Sequence, residues 1–392
     1  MMNTKHQSFM MHAILNKKHA LSSLTDAEFE AILPQLAAEL AANGVLRETY
    51  TDTDILKDWA LLKKKDTSIH AMTISATEVA GMKVMRKHMQ HFHAVRNYKG
   101  HSVESLWTQP CLEKALRFNR AQHSTPYASE IIRSLSFANG LGKVTMYRPL
   151  TAKKVVSYLT AKDGLTEVRV LDVCAGWGGR MIGAKSAELS PGSKIKVHYT
   201  GIDPCEKTYA ALCAIRDELG LANVSLIHKP AEVALQDLDP VATYDIALTS
   251  PPYYNLEIYS DEPTQSVASN DGYQTWLNEF MSPVIAGVIR LGVKYSCWSV
   301  KNFKTDKKYD LLDDVTRIHG EHGWRLLDDV VFTMANSRRP GQKAKSHESS
   351  ESSESSEVAA VAVAAVAVAA AVAAAAPKKT EECTYVFVRA TS

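Results

Sequence analysis

From residue 167 onward the apolar positions switch period repeatedly, and the switches are regular. Residues 167–174 form a short apolar run that predicts a strand. A glycine-rich turn follows at 175–180, and from Met181 the spacing becomes helical. The cycle repeats: strand 194–203, helix 206–219 stopped by Gly220, strand 224–228, short helix 232–235, strand 244–249. Helix 273–291, strand 293–300, helix 309–323 and strand 324–334 come next, and 382–389 closes the chain as an alternating strand. Such a β-α-β alternation predicts a parallel sheet with helices on both faces.

The first 145 residues have another pattern. Thr25 and Glu28 have capping-box spacing ahead of an Ala/Leu-rich helix that ends near Ala42, where Asn43 and Gly44 supply a stop. A second helix is expected over 54–62. Residues 146–162 read as a loop and then a helix, with Thr151 as the expected cap. No sharp helix-turn-helix signature is present.

Between 334 and 382 the pattern collapses. Residues 348–357 repeat Glu-Ser-Ser, and 358–376 contain only Ala and Val. Nineteen apolar residues approach the length of a bilayer span. Alanine is weakly apolar, however, and the segment joins two strands of one sheet, so a disordered or partly helical spacer is expected instead. The divisions read from these patterns are 1–145 (helical, with possible target recognition), 146–346 (catalytic), 347–377 (insert) and 378–392 (final strand).

Composition adds little. The 392 residues are 45% hydrophobic and 22% charged with a net charge of +2, as in ordinary soluble proteins, so any basic surface must be local. Six cysteines without a Cys-x-x-Cys pair read as free thiols in a reducing cytosol. The N-terminus lacks an apolar core of signal-peptide length. In residues 83–120, eight basic residues, among them Arg86, Lys87, Arg96, Lys99, Arg117 and Arg120, face only Glu104 and Glu113. Phe92, Tyr98, Trp107 and Phe118 are interleaved. That mixture suits phosphate contact and base stacking; a solvated helix face over core aromatics is the plainer alternative. Arg338 and Arg339 form a basic turn that either meets a nucleic-acid backbone or is ordinary surface. His88, His91 and His93 lack a fourth ligand at metal-site spacing, so no metal is expected.

Two loops carry the chemistry. Pro251 and Pro252 follow the strand at 244–249; neither has an N–H for a sheet ladder, so the strand stops and a stiff loop begins at its C-terminal end. A row of rigid carbonyl acceptors beside Tyr253 suits a planar group with an amino function, such as a nucleobase. The other loop opens with Asp172, Gly176 and Gly178. No Gly-Lys-Ser/Thr ending is present, and Met181 breaks the dinucleotide fingerprint. Asp172 is then an acceptor for a cationic amino-acid end, directly or through water, and Asp203 stands where a ribose diol would lie. Residues 228–232 close the third strand, where such folds flank an adenine.

The run from Tyr147, Arg148 and Pro149 through Asp172–Arg180 to Thr249–Ser260 resembles the amino-group (N6-adenine or N4-cytosine) DNA methyltransferases. The likeness is greatest to the small phage-type methylases with a Ser-Pro-Pro-Tyr motif. It covers about 140–335 and the final strand. The resemblance implies an α/β, Rossmann-like S-adenosylmethionine-dependent methyltransferase fold: a seven-stranded, mostly parallel sheet whose last strand is antiparallel. It implies S-adenosyl-L-methionine held by Tyr147, Asp172, Ala175, Gly176, Gly178, Asp203 and Pro204. Double-stranded DNA would be the partner, in a phage or bacterial host cytoplasm, with no membrane role. A flipped base would bond through its amino group to Ser250 and the Pro251 carbonyl, with Pro252 stiffening the loop and Tyr253 stacking on the ring. Serine in place of aspartate leaves the target base open. Glu257 and Tyr259 either line the pocket or are solvated. An RNA or tRNA base methyltransferase, or an inactive nucleic-acid-binding relative, are the alternatives.

Overall fold

The structure, a computed structural model, describes residues 9–67, 73–74, 78–142, 144–241, 243–268, 272–334 and 381–390. Arg338, Arg339 and the insert at 347–377 lie outside the described residues.

Seven strands form the centre: β1 (Glu167–Asp172), β2 (Lys196–Asp203), β3 (Val224–His228), β4 (Ile246–Thr249), β5 (Tyr295–Val300), β6 (Trp324–Met334) and β7 (Cys383–Arg389). They pair in the order β3-β2-β1-β4-β5-β7-β6. The first five are mutually parallel, and β7 is antiparallel to both β5 and β6. This is the Rossmann-like methyltransferase sheet, with its last strand inserted between β5 and β6. The two-residue strand Thr73–Ile74 extends the free edge of β6, an addition the sequence pattern does not show. β4 and β5 are buried along their whole length, which is why they read as continuous apolar runs.

Helices line both faces. In the N-terminal region α1 (Asp26–Asn43) and α2 (Asp52–Lys64) each open with a capping box, at Thr25 with Glu28 and at Thr51 with Asp54. α3 (Met82–His88), α4 (Gln109–Ala121) and α5 (Ala128–Ala138) follow. Helices α1, α4 and α5 build a core of their own around Phe29, Leu33, Leu112 and Leu135. Helices α2 and α3 instead pack on the sheet layer, with Trp59 and Met85 in the same cluster as Val170 and Ile182. The sheet's helices are α6 (Pro149–Asp163), α7 (Gly179–Glu188), α8 (Glu206–Glu218), α9 (Ala231–Asp237), α10 (Ser282–Arg290) and α11 (Leu311–Glu321). A buried lysine fastens α2 to α6: Lys153 Nζ donates to the carbonyls of Leu62, Lys63 and Lys65 at 2.9, 2.8 and 2.7 Å. Those carbonyls lie at the C-terminal end of α2, where helices leave acceptors over.

Two local expectations change. Thr151 is not the cap of α6; the helix starts at Pro149 with Arg148 as its cap, because proline fits a first turn that needs no N–H donor. The helix expected over 273–291 contains a π-helical stretch, Leu277–Met281, just ahead of Pro283. Pro283 cannot donate to the carbonyl of Glu279 and its ring crowds it, so the backbone widens there. Among the described residues no helix is long and apolar enough to cross a membrane.

Candidate active site

The chain leaves β1 toward β2 and β3 on one side and returns to β4 on the other. The loops after β1 and β4 therefore splay apart at the switch point of the sheet, and ligands sit in such crevices. A cavity open to solvent occupies this place.

The loop after β1 shapes one wall. Gly176 adopts φ +53°, a left-handed conformation that glycine enters without strain. Gly179 begins α7 against the Tyr147 backbone; a Cβ there would lie 2.1 Å from the Tyr147 carbonyl oxygen. The glycine run thus serves a close crossing as well as the cavity. Asp203, at the end of β2, accepts from the backbone N–H of Gly176 (2.8 Å) and of Cys205 (3.0 Å). Each oxygen keeps a lone pair for a ligand hydroxyl. Burial pushes the Asp203 carboxyl up to about 6, against the lowering effect of the two N–H donors. At the start of α9, Glu232 Oε2 is buried without a partner, and so is Gln265 Nε2 from the loop beyond β4; both residues line the cavity. An orphaned acceptor and an orphaned donor are what a polar ring system needs.

Asp172 does not line this cavity. It is fully buried beneath it, accepting from Arg180 Nε and from the Tyr199 hydroxyl, both at 2.7 Å, and from the Cys174 N–H at 3.3 Å. Its expected direct hold on an amino-acid end is corrected: the carboxylate is already occupied by a cation and two further donors. What it presents to the cavity is Arg180, which also donates to the Cys174 carbonyl and lies 5.1 Å from the centre of the Tyr147 ring. Sequence reasoning gave Arg180 no role, although it closes the glycine motif.

The loop after β4 forms the opposite wall. Ser250 and Pro252 line the cavity; Pro251 and Tyr253 are buried behind it. The Ser250 hydroxyl donates to the Ser299 carbonyl on β5 at 3.3 Å. The Tyr253 hydroxyl donates to the same carbonyl at 3.4 Å, and its ring packs against Phe303 with centroids 5.7 Å apart. At 6% exposure Tyr253 offers no face to the cavity, so the stacking role is corrected to that of a prop beneath the loop. Tyr259 is the aromatic on this wall, 5.9 Å from Trp177, and its hydroxyl donates to Glu257. Burial pushes the Glu257 carboxyl up to about 7. Glu382, just before β7, completes the wall and pairs with Lys301 at 3.4 Å.

Of the expected donor-site residues, Tyr147, Ala175, Gly176, Asp203 and Pro204 are thus on one cavity wall, while Asp172 and Gly178 lie behind it. Most of the described residues expected to contact nucleic acid are ion-paired within the chain. Arg86 pairs with Glu48, Lys87 with Asp52 and Glu218, and Arg96 with Asp261. Arg117 pairs with Glu30 and Glu113, and Arg120 with Asp26, tying α4 to α1. Only Lys99, among the six that are described, has no carboxylate within ion-pair distance in the described structure. His88 and His91 turn toward α8, at Glu218 and Thr208.

No protein-family model matches the chain, and no curated protein does. Solved structures are similar at low identity. A putative class I S-adenosylmethionine-dependent methyltransferase from Listeria monocytogenes is 11% identical, over 86% of this chain and 89% of that one, with a TM-score of 0.39. Magnesium protoporphyrin IX methyltransferase from Synechocystis PCC 6803, with bound SAM, is 12% identical over 70% and 84%, with a TM-score of 0.34. A putative RNA methyltransferase from Pyrococcus horikoshii is 14% identical over 45% and 68%, with a TM-score of 0.29. The strand order and the site carry the reading of this chain.

Proposed function

We propose that the chain is an S-adenosylmethionine-dependent methyltransferase acting on the exocyclic amino group of a nucleobase in DNA, N6 of adenine or N4 of cytosine. One observation carries this reading. The single O–H of Ser250 is directed at the Ser299 carbonyl, so its oxygen faces the cavity as an acceptor. An acceptor hydroxyl beside the carbonyl-rich Pro251-Pro252 turn fits a group with two N–H donors. The resemblance of the Thr249–Ser260 run to amino-group DNA methyltransferases agrees with it.

The residues fit the methyl donor. Asp203 takes a ribose diol, Glu232 and Gln265 offer an acceptor and a donor for an adenine ring, and Arg180 offers a cation for the amino-acid carboxylate. Bound there, S-adenosylmethionine supplies an electrophilic methyl group. Ser250, on the cavity wall, accepts an amino hydrogen and so aims the nitrogen lone pair. Orientation of this kind accounts for most of the barrier reduction, without a covalent enzyme intermediate. Cys174 and Cys297 are not nucleophiles here, since burial pushes both thiols well up. A base reaches the cavity by leaving its stack.

The test uses donor carrying a radiolabelled methyl group, offered with duplex DNA and, separately, with structured RNA. Label in DNA is the expected result. Label in RNA alone would transfer the reading to an RNA base methyltransferase on the same fold.

A further inference from the structure

The turn at 97–101 stands out from the basic region because it is rigid, exposed and tied to the acceptor wall. Arg96–Asn97 pairs antiparallel with Glu257–Ile258, with Asn97 opposite Glu257. Arg96 is ion-paired with Asp261 a few residues further along the same loop. Tyr259, one residue beyond this pairing, lies on the cavity wall. The turn is therefore hydrogen-bonded to the segment that lines the proposed acceptor end.

Its own construction is stiff. Asn97 is 8% exposed, and its side-chain oxygen accepts from the N–H of Lys99 (2.9 Å) and His101 (3.0 Å). Its amide donates to the Leu141 carbonyl at 3.0 Å, and its backbone closes the turn with Gly100 and His101 at 2.9 and 2.8 Å. On this base Tyr98 remains 39% exposed, with Lys99 Nζ 5.6 Å from its ring centre. Lys99, Gly100 and His101 are exposed as well. An exposed tyrosine ring with an ammonium group beside it on a prebuilt turn has little order left to gain on binding. Aromatic faces stack on bases irrespective of sequence, and a lysine beside one meets the phosphate backbone.

We infer that Tyr98 and Lys99 form a contact tip for the nucleic-acid strand that carries the acceptor, with Tyr98 stacking on an unpaired base next to it and Lys99 on a phosphate. This rests on the reading of the acceptor as a nucleobase. It separates Lys99 from the other five basic residues, whose partners are within the chain.

The experiment is fluorescence anisotropy of a fluorescein-labelled single-stranded oligodeoxynucleotide with the full chain and its Tyr98→Ala, Tyr98→Trp and Lys99→Ala variants, across a salt series. Tyr98→Ala is expected to weaken binding about ten-fold or more, and Tyr98→Trp to restore it. Lys99→Ala is expected to weaken binding and to lower the salt slope by about one. Calorimetry should find the affinity for S-adenosylmethionine the same in all. Wild-type affinity in Tyr98→Ala would overturn the tip and leave the nucleobase reading intact. Equal loss in Tyr98→Ala and Tyr98→Trp would overturn the stacking role. No binding of the oligonucleotide by the unaltered chain would overturn the tip, and methyl transfer to duplex DNA then decides the nucleobase reading separately.

Discussion

Asp172 Oδ2 and Arg180 Nε lie 2.7 Å apart, and both side chains are buried, at 0% and 4% exposure. The acid at the mouth of β1 is thereby a support for a cation rather than a ligand contact. Breaking a buried pair by removing one partner leaves the other charge uncompensated, at a cost of about 3–5 kcal/mol. Asp172→Ala should lower the urea midpoint accordingly, and should weaken donor binding through a displaced Arg180. The double variant Asp172→Leu with Arg180→Met should lose less than the two single losses combined, since no charge remains unpaired. Single losses under about 0.5 kcal/mol, the range of ordinary surface changes, would refute the pairing.

Two glycines give opposite signs. A Cβ on Gly179 would lie 2.1 Å from the Tyr147 carbonyl oxygen, so Gly179→Ala must push α7 and α6 apart. The expected loss is about 1–3 kcal/mol. Gly320, inside α11, has nothing within 4 Å of its Cβ position, and Gly320→Ala should gain up to about 1 kcal/mol from helix propensity. Thermal unfolding of the two variants side by side reads both.

Donor binding should depend on pH through Asp203. Burial raises its carboxyl to about 6, so the group is protonated in the folded chain at a pH where the unfolded chain is already ionised. Between roughly pH 4 and 6 the folded state then holds more protons than the unfolded state, and this group's contribution to stability falls as pH rises. Glu257, raised to about 7 by burial, acts with the same sign over a window that reaches about pH 7. Ligand hydroxyls, by contrast, need the ionised Asp203 as acceptor. Affinity for the donor should therefore increase as pH rises through about 6, and Asp203→Asn should flatten that rise; calorimetry at several pH values measures it. The same profile in Asp203→Asn would contradict the role given to this carboxylate.

The alternation of periods made the sheet legible, because a buried parallel strand is a short apolar run and its crossover helix is not. β3 and β6 fall where the pattern puts them, 224–228 and 324–334. The edge strand Thr73–Ile74 was not legible, since two residues carry no period. Within the site, the positions of the loops could be read from Gly176 and from Pro251-Pro252, whose backbone limits act locally. Which side chains face the cavity could not. Tyr253 points away because Ser299, 46 residues on, holds its hydroxyl. Arg180 enters because Asp172, itself held by the Tyr199 hydroxyl, anchors its far side. In the basic region the apparent excess of charge is offset by Glu30, Glu48, Asp26 and Glu218, all outside the 83–120 window, so a local count could not show it.

Ser250→Ala removes the acceptor oxygen while leaving the Ser299 carbonyl to Tyr253. Donor affinity should stay within two-fold of wild type, about 0.4 kcal/mol. The methyl-transfer rate should fall by about ten-fold or more, as expected when a hydrogen bond that orients the reacting nitrogen is lost. Equal small effects on both quantities would remove the loop after β4 from the chemistry.

The most direct measurement digests duplex DNA after incubation with the chain and donor bearing a deuterated methyl group, then identifies the labelled nucleoside by mass spectrometry. N6-methyladenosine or N4-methylcytidine in its deoxy form is the predicted product. A labelled C5-methylcytosine, or no labelled base in any duplex offered, would contradict amino-group transfer to DNA at Ser250.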